Sequence, residues 1–504
     1  MTLQPDPTPG DTSWFTQARF GLFIHWGLYA LPARHEWVKN REKISDADYE
    51  KYFKHFDPDL YDPARWADAA AAAGMGYFVV TTKHHDGFCL WDSALTDYKA
   101  TNTPYGKDLL HPMVDAFRDK GLKVGFYHSL LDWHHPDYPV DDLHPMRDDA
   151  PSREANSGRD LTRYVDYLHG QTRELLTQFG TVDILWYDFS YGGMGKEQWR
   201  SEELIRDIRR MQPDIVLNDR LQMGWDIKTP EQYQPREWVR VDGKPVVWEA
   251  CQTFSGSWGY ARDEESWKSV ETLLQMLVDS VSKGGNLLLN VGPTGRGEFD
   301  ARALDRLAGM GEWMKRHSRS IQGCTQAPDG FKTPADCRLT YNPTTNRLYV
   351  HLFAWPFGEV HLDGGAGRVA YAQLLNDASE ILMGQDDWAA GQPGGGAGTD
   401  TLVLRLPVKK PPVTVPVIEL FLKCRKDPHP PPMPPQAGEG SMQEGTEKAR
   451  MIPVPPPNPK LPPLSRLRGR GRGWGPPSPP PSPPCPRPAW TRRVWTPSFC
   501  WPGP

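Results

Sequence analysis

Seven short apolar runs of this chain end in, or carry, groups that bind hydroxyls or move protons. The first ends in His25-Trp26-Gly27, the second in Lys83-His84-His85-Asp86-Gly87, the third in Tyr127-His128-Ser129 and the fourth in Trp186-Tyr187-Asp188. The fifth ends in Asn218-Asp219-Arg220, the sixth holds Trp248-Glu249, and the seventh ends in Asn290. Imidazoles, an arginine, carboxylates and many aromatic rings together suit a sugar. Aromatic faces pack on the C–H faces of a pyranose, and His, Asn and Arg bond its hydroxyls. Glycoside hydrolysis further needs two carboxyl groups flanking the anomeric carbon. Asp188 follows the apolar strand DILWY, where flanking aromatics exclude water, and is the best nucleophile candidate. Two glutamates compete for the acid/base role: Glu231 in IKTPEQY, on a loop after the fifth run, and Glu249 in VWEACQ.

A metal site would gather His84, His85 and Asp86 with His25. Adjacent histidines on a strand point to opposite faces and make poor co-ligands. Neither HxH nor HExxH occurs. The expectation is therefore contact with substrate hydroxyls and no metal, with plain core or loop histidines as the alternative. His134 and His135, in DWHHP, read as a solvated loop.

What must position these residues is a barrel. The seven runs are rich in β-branched and aromatic residues and bounded by Gly, Asp or Pro. Between them lie amphipathic helical stretches, among them PARWADAAAAAG, DLLHPMVDAFRDKG, DLTRYVDYLHGQTRELLTQFG and SEELIRDIRRMQ, several closed by Gly. Strands alternating with helices imply a parallel sheet. The length fits a (β/α)8-like barrel of TIM type, regular or irregular, spanning 1–328, in which chemistry sits at the C-terminal strand ends. From about residue 330 the pattern changes to short runs with turn signals and no helix, such as RLYVHLFAW, TLVLRLP and VPVIELFLK. These predict a C-terminal antiparallel β-sandwich over 329–424, with GQPGGGAGTD as a flexible loop. The sandwich reads as a structural cap on the barrel or as a carbohydrate-binding module.

Composition bounds the rest. The chain has 504 residues, enough for two to four domains or one large barrel with an accessory domain. A net charge of −5 argues against a nucleic-acid partner. No run approaches 18 apolar residues, so no membrane span is expected. The first residues, MTLQPDPTPGDTSW, have neither a basic start nor an apolar core, so the expected location is the cytoplasm. Seven scattered cysteines without a CxxC pair read as reduced thiols. About half of the 51 prolines follow residue 427, and 425–504 is expected to be a disordered Pro/Arg-rich tail, either an interaction segment or an unselected extension.

The motifs FGLFIHWGLYALPARHEWV, TTKHHDGFCLWDS, FYHSLLDWHHP, DILWYDF, LNDR, WGYARDE and SKGGNLLLNVGPTGRG, taken together and in this order, resemble an α-L-fucosidase of glycoside hydrolase family 29. The resemblance covers about residues 12–325, and the sandwich fits the family's usual second domain. It implies a retaining α-L-fucosidase, acting on terminal α-L-fucosyl residues of oligosaccharides or glycoconjugates without a cofactor. By the same resemblance Asp188 is the nucleophile and Glu231 the acid/base, with Glu249 as runner-up. His25, Glu36, Trp37, His84 and His85 would meet the sugar hydroxyls. Tyr127, Trp186 and Arg220 would line the pocket, and Trp258 would pack near the fucose methyl. Retention implies carboxyl groups about 5 to 5.5 Å apart, with Glu231 protonated and Asp188 ionised. Three rival readings stand beside this one: an inactive fucose-binding barrel, a retaining glycosidase of other sugar specificity, and a metal-dependent barrel hydrolase.

Overall fold

The computed structural model describes residues 3–191, 193–384 and 398–423. The tail expected over 425–504 and most of the GQPGGGAGTD loop lie outside the described residues. The described residues fall within one compact unit.

All seven predicted strands form, in one parallel sheet. They are β1 (Phe20–Ile24), β2 (Tyr77–Lys83), β3 (Lys123–Ser129), β4 (Ile184–Asp188), β5 (Val216–Leu217), β6 (Glu249–Thr253) and β7 (Asn286–Val291). Their order in the sheet is β5-β4-β3-β2-β1-β7-β6. Every residue of β1, β2, β6 and β7 is buried, as expected of parallel strands covered on both faces.

The gap between β5 and β6 is where the barrel becomes irregular. Residues 227–231 fill it, with parallel bridges Asn218↔Ile227, Lys228↔Trp248 and Glu231↔Cys251. Backbone hydrogen bonds sew this segment to both sides: Ile227 N–H to the Leu217 carbonyl (3.2 Å) and Cys251 N–H to the Pro230 carbonyl (3.1 Å). A segment with the sequence of a loop thus takes the eighth position and closes the ring.

Helices α1 (Pro63–Ala72), α2 (Leu110–Asp119), α3 (Leu161–Gln178), α4 (Ser201–Met211), α5 (Val270–Ser282) and α6 (Ala301–His317) match the predicted stretches. The helix of Pro63–Ala72 is capped by the Asp62 carboxylate at its start, and Gly74 follows its end at φ +84°, a left-handed turn that glycine adopts without strain.

Two cores result. One lies between sheet and helices. The other fills the barrel itself with Phe15, Phe23, Tyr77, Val79, Tyr127, Ile184, Trp186, Val216, Ile227, Val247, Cys251 and Leu288. Phe15, on the short helix Ser13–Ala18, plugs the N-terminal floor.

The C-terminal region is all antiparallel strand, as expected. One sheet holds Thr325–Gln326, β8 (Cys337–Asn342), β9 (Arg347–Leu352), β14 (Val417–Leu422) and β11 (Val369–Leu374); the other holds β10 (Glu359–Asp363), β13 (Thr401–Arg405) and β12 (Leu382–Gly384). They enclose their own apolar core. Polar ties fasten this region to the barrel: Trp313 Nε1 donates to the Val415 carbonyl at 2.8 Å, and Arg338 Nε to Asp279 at 2.6 Å.

Candidate active site

Asp188 stands at the C-terminal end of β4, and four groups face its carboxylate. The Tyr127 hydroxyl donates to Oδ2 at 2.8 Å, and the Phe189 N–H donates to Oδ1 at 3.0 Å. Arg220 Nε lies 3.7 Å from Oδ1, and His85 Nε2 lies 3.7 Å from Oδ2. Phe189 has φ +71°, a left-handed conformation uncommon for a residue with a side chain. That turn brings its N–H back onto the carboxylate beside it. Burial pushes the Asp188 carboxyl above its ordinary range, while Arg220, the Tyr127 hydroxyl and the Phe189 N–H pull it down.

Arg220 joins Asp188 to Glu231. Its Nη2 donates to Glu231 Oε2 at 3.0 Å, and its guanidinium lies over the Trp186 ring, 5.4 Å from the centroid. Its carbonyl accepts from Ser190 Oγ at 2.5 Å, and Ser190 Oγ in turn accepts from Trp199 Nε1 at 3.1 Å. Glu231 keeps 44% of its side chain exposed. Its recess in the mouth and the facing Asp188 carboxylate nevertheless push its carboxyl up to about 7, against the pull of Arg220. Asp188 has two hydrogen-bond donors, the Tyr127 hydroxyl and the Phe189 N–H, besides the shared arginine's charge, and Glu231 has Arg220 alone. A proton shared by the pair therefore resides on Glu231.

The imidazoles are neutral acceptors or donors, not cations. His25 Nδ1 meets Asn290 Oδ1 at 2.6 Å, and Asn290 Nδ2 donates to the Trp258 carbonyl at 2.6 Å. Since an amide oxygen only accepts, this network assigns the His25 proton to Nδ1 and leaves Nε2 as an acceptor. Burial pushes His25 down to about 3. His85 Nδ1 meets Ser129 Oγ at 2.6 Å, and the Ser129 hydroxyl donates to the Leu131 carbonyl at 2.7 Å, so Nδ1 of His85 is the donor. Burial holds His84 and His85 well below the usual histidine range. His84 Nδ1 and His85 Nε2 are buried without a hydrogen-bond partner. Such atoms are costly unless a ligand satisfies them, and a sugar hydroxyl is the right size and polarity.

The alternation expected of His84 and His85 does not hold. β2 ends at Lys83 after a register shift at Thr81/Lys83, so both histidines lie beyond the pleated strand. Their ring centroids are 4.0 Å apart, and both face the same mouth. Beneath them the buried ion pair Lys83–Asp132 (3.1 Å) holds the turn, and Asp86 accepts from Tyr49 at 3.0 Å. His134 and His135 take no part. His134 stacks on Tyr98 (3.8 Å), and His135 packs against Tyr164 and Tyr167.

Glu36 is buried, which raises its carboxyl, and its Oε2 accepts from the Gly259 N–H at 2.8 Å. Trp37 packs on His85 (5.0 Å), Trp133 (5.2 Å) and Phe189 (5.4 Å). Trp258 lies 5.1 Å from His25 and 5.8 Å from Phe23. These contacts bring His25, Glu36, Trp37, His84, His85, Tyr127, Trp186, Asp188, Arg220, Glu231 and Trp258 to one end of the barrel.

Glu249 belongs to the other end. It opens β6 and pairs in register with Asn286, the first residue of β7. Its carboxylate accepts from the Tyr77 hydroxyl, at the start of β2. Burial pushes it to about 7, but it faces the floor, not the mouth. The expectation that the polar strand residues fall at one end of the barrel thus fails at the sixth strand. Asn218 and Asp219 also turn away: Asn218 exchanges hydrogen bonds with the Tyr187 backbone, and Asp219 accepts from Thr229 at 2.8 Å.

Among the described residues no group of three His, Cys, Asp or Glu side chains is arranged to hold a metal ion. Sequence reasoning noted Asn290 as a polar strand end but not its grip on His25. It missed Phe189 and Ser190, whose roles depend on a backbone turn and on a neighbour 30 residues away.

The profile of the α-L-fucosidase family matches residues 6–319. The plasma α-L-fucosidase of Rattus norvegicus is 29% identical over 431 residues, 78% of this chain and 87% of its own. The chain is similar in structure to α-L-fucosidase isoenzyme 1 of Paenibacillus thiaminolyticus, with TM-score 0.77 and 47% identity over 82% of this chain and 99% of that one. It is also similar to a family 29 α-L-fucosidase of Bacteroides thetaiotaomicron, trapped as a covalent intermediate with 2-fluoro-fucosyl fluoride. There the TM-score is 0.72 and the identity 26%, over 84% of this chain and 98% of that one.

Proposed function

The chain belongs to the α-L-fucosidase family, glycoside hydrolase family 29, and from that membership we propose that it hydrolyses terminal α-L-fucosyl residues with retention of configuration. Its substrates are fucosylated oligosaccharides or glycoconjugates. The observation that carries the reading is the pair of carboxyl groups at the mouth, Asp188 and Glu231, bridged by one arginine and differing in their number of donors.

Asp188 attacks the anomeric carbon while Glu231 gives its proton to the departing oxygen. The bond to the leaving group breaks as a covalent fucosyl ester forms on Asp188. Glu231, now ionised, takes a proton from water, which displaces the ester and releases α-fucose. The Tyr127 hydroxyl and the Phe189 N–H hold the attacking carboxylate in one orientation. Arg220 offsets negative charge that moves from Asp188 to Glu231 as the cycle runs, because it reaches both.

The neutral acceptor on His25 Nε2 and the unpartnered nitrogens of His84 and His85 support their roles as hydroxyl partners. Phe23, Trp186 and Trp258 supply an apolar wall suited to a 6-deoxy sugar. A methyl-sized difference is worth about 1–3 kcal/mol, so L-galactosides are expected to be slower and not excluded. Proton NMR of 4-nitrophenyl α-L-fucoside hydrolysis tests the proposal. The α-anomer of fucose is expected to appear first; β-fucose first, or no turnover, refutes it.

A further inference from the structure

We propose that Tyr233 forms the platform for the sugar to which fucose is attached, a pyranose leaving group; this rests on Glu231 being the acid/base of the proposed fucosidase. The leaving oxygen takes its proton from Glu231, so the leaving group must lie on the side of the mouth where residues 227–233 run. Backbone bonds pin that segment on either side of Glu231: Cys251 N–H donates to the Pro230 carbonyl (3.1 Å), and Gln232 N–H donates to the Cys251 carbonyl (3.0 Å). Gln232 sits at φ +60° and donates through Nε2 to Thr253 Oγ1 at 3.3 Å, which commits its side chain to β6. The chain turns there, and the next side chain is left in solvent.

Tyr233 is 59% exposed. Among the described residues it and Phe357 are the two mostly exposed large aromatics, and Phe357 lies in the bend between β9 and β10, outside the barrel. A ring this exposed adds little buried area to the fold. Set two residues from the proton donor, just after the point where Gln232 is tied to Cys251, it offers a flat apolar face next to the acid/base. A pyranose, with its C–H face, is the ligand class that such a face accepts.

The test compares a leaving group with a ring against one without. Wild type, Tyr233→Ala and Tyr233→Phe are assayed on α-L-fucosyl fluoride and on α1,2-, α1,3- and α1,6-linked fucosyl disaccharides. In Tyr233→Ala, kcat/KM on the best disaccharide is expected to fall about tenfold more than on the fluoride. Tyr233→Phe, which keeps the ring, restores most of that difference. Parallel losses on fluoride and disaccharide, or no loss on either, overturn the proposal. So does a wild type that turns over the fluoride and none of the disaccharides. Failure of the wild type on the fluoride would instead refute the fucosidase reading itself.

Discussion

Glu231→Gln tests the division of labour between the two carboxyl groups. The Glu231 carboxyl titrates near 7, pushed up by its recess and by Asp188. A general acid must be protonated to act, so activity is present below that value and lost as pH rises through it. With a value of about 7, roughly nine-tenths of the enzyme is active at pH 6 and roughly one-tenth at pH 8. The wild-type kcat/KM on phenyl α-L-fucoside, whose leaving group needs the proton, should therefore fall about tenfold between those pH values. The two carboxyls titrate as a pair, and this limb is the pair's upper step. Glutamine occupies the same space, keeps an oxygen for Arg220 and cannot titrate. In Glu231→Gln the limb should vanish, and with it about 10² to 10⁴ in rate for substrates whose leaving group needs a proton. On α-L-fucosyl fluoride, whose leaving group needs little help, the loss should be at least tenfold smaller. A limb near pH 7 that persists in Glu231→Gln, or equal losses on both substrates, would refute the assignment.

Asp188→Ala should lose more than about 10⁴ in kcat, and azide should restore turnover with β-fucosyl azide as the product; α-fucosyl azide from this variant would sink the nucleophile assignment. Glu249→Gln, at the floor, should keep kcat/KM within about threefold, because the amide still accepts from Tyr77; a loss of 10³ would return Glu249 to the catalytic role. Lys83→Met leaves Asp132 buried without its counter-charge, at a cost of about 3–5 kcal/mol of unfolding free energy read as a lower denaturant midpoint, and an unchanged midpoint would contradict the buried pairing. EDTA should leave wild-type turnover unchanged, and a loss restored by a divalent cation would revive the metal-dependent reading.

Much of this molecule was legible in the chain because periodicity reports local geometry. The parallel strands announced themselves as fully apolar runs, and the helices as amphipathic ones closed by Gly. The position of Asp188 followed directly, since a polar residue ending a buried strand of a barrel lies at the mouth. The order of motifs carried the family. What only the tertiary structure decided was whatever depends on two distant segments meeting. The residues alone left Glu231 and Glu249 in competition, and only the family resemblance favoured Glu231; register places Glu249 at the start of β6 on the floor, and closure of the ring through 227–231 lifts Glu231 to the mouth. His84 and His85 share a pocket because β2 stops at Lys83, before either of them. Arg220 serves both carboxylates because Ser190, 30 residues away in sequence, holds its backbone. A local pattern fixes the direction of a side chain along its own strand, but the partner it meets is set by how the ring closes.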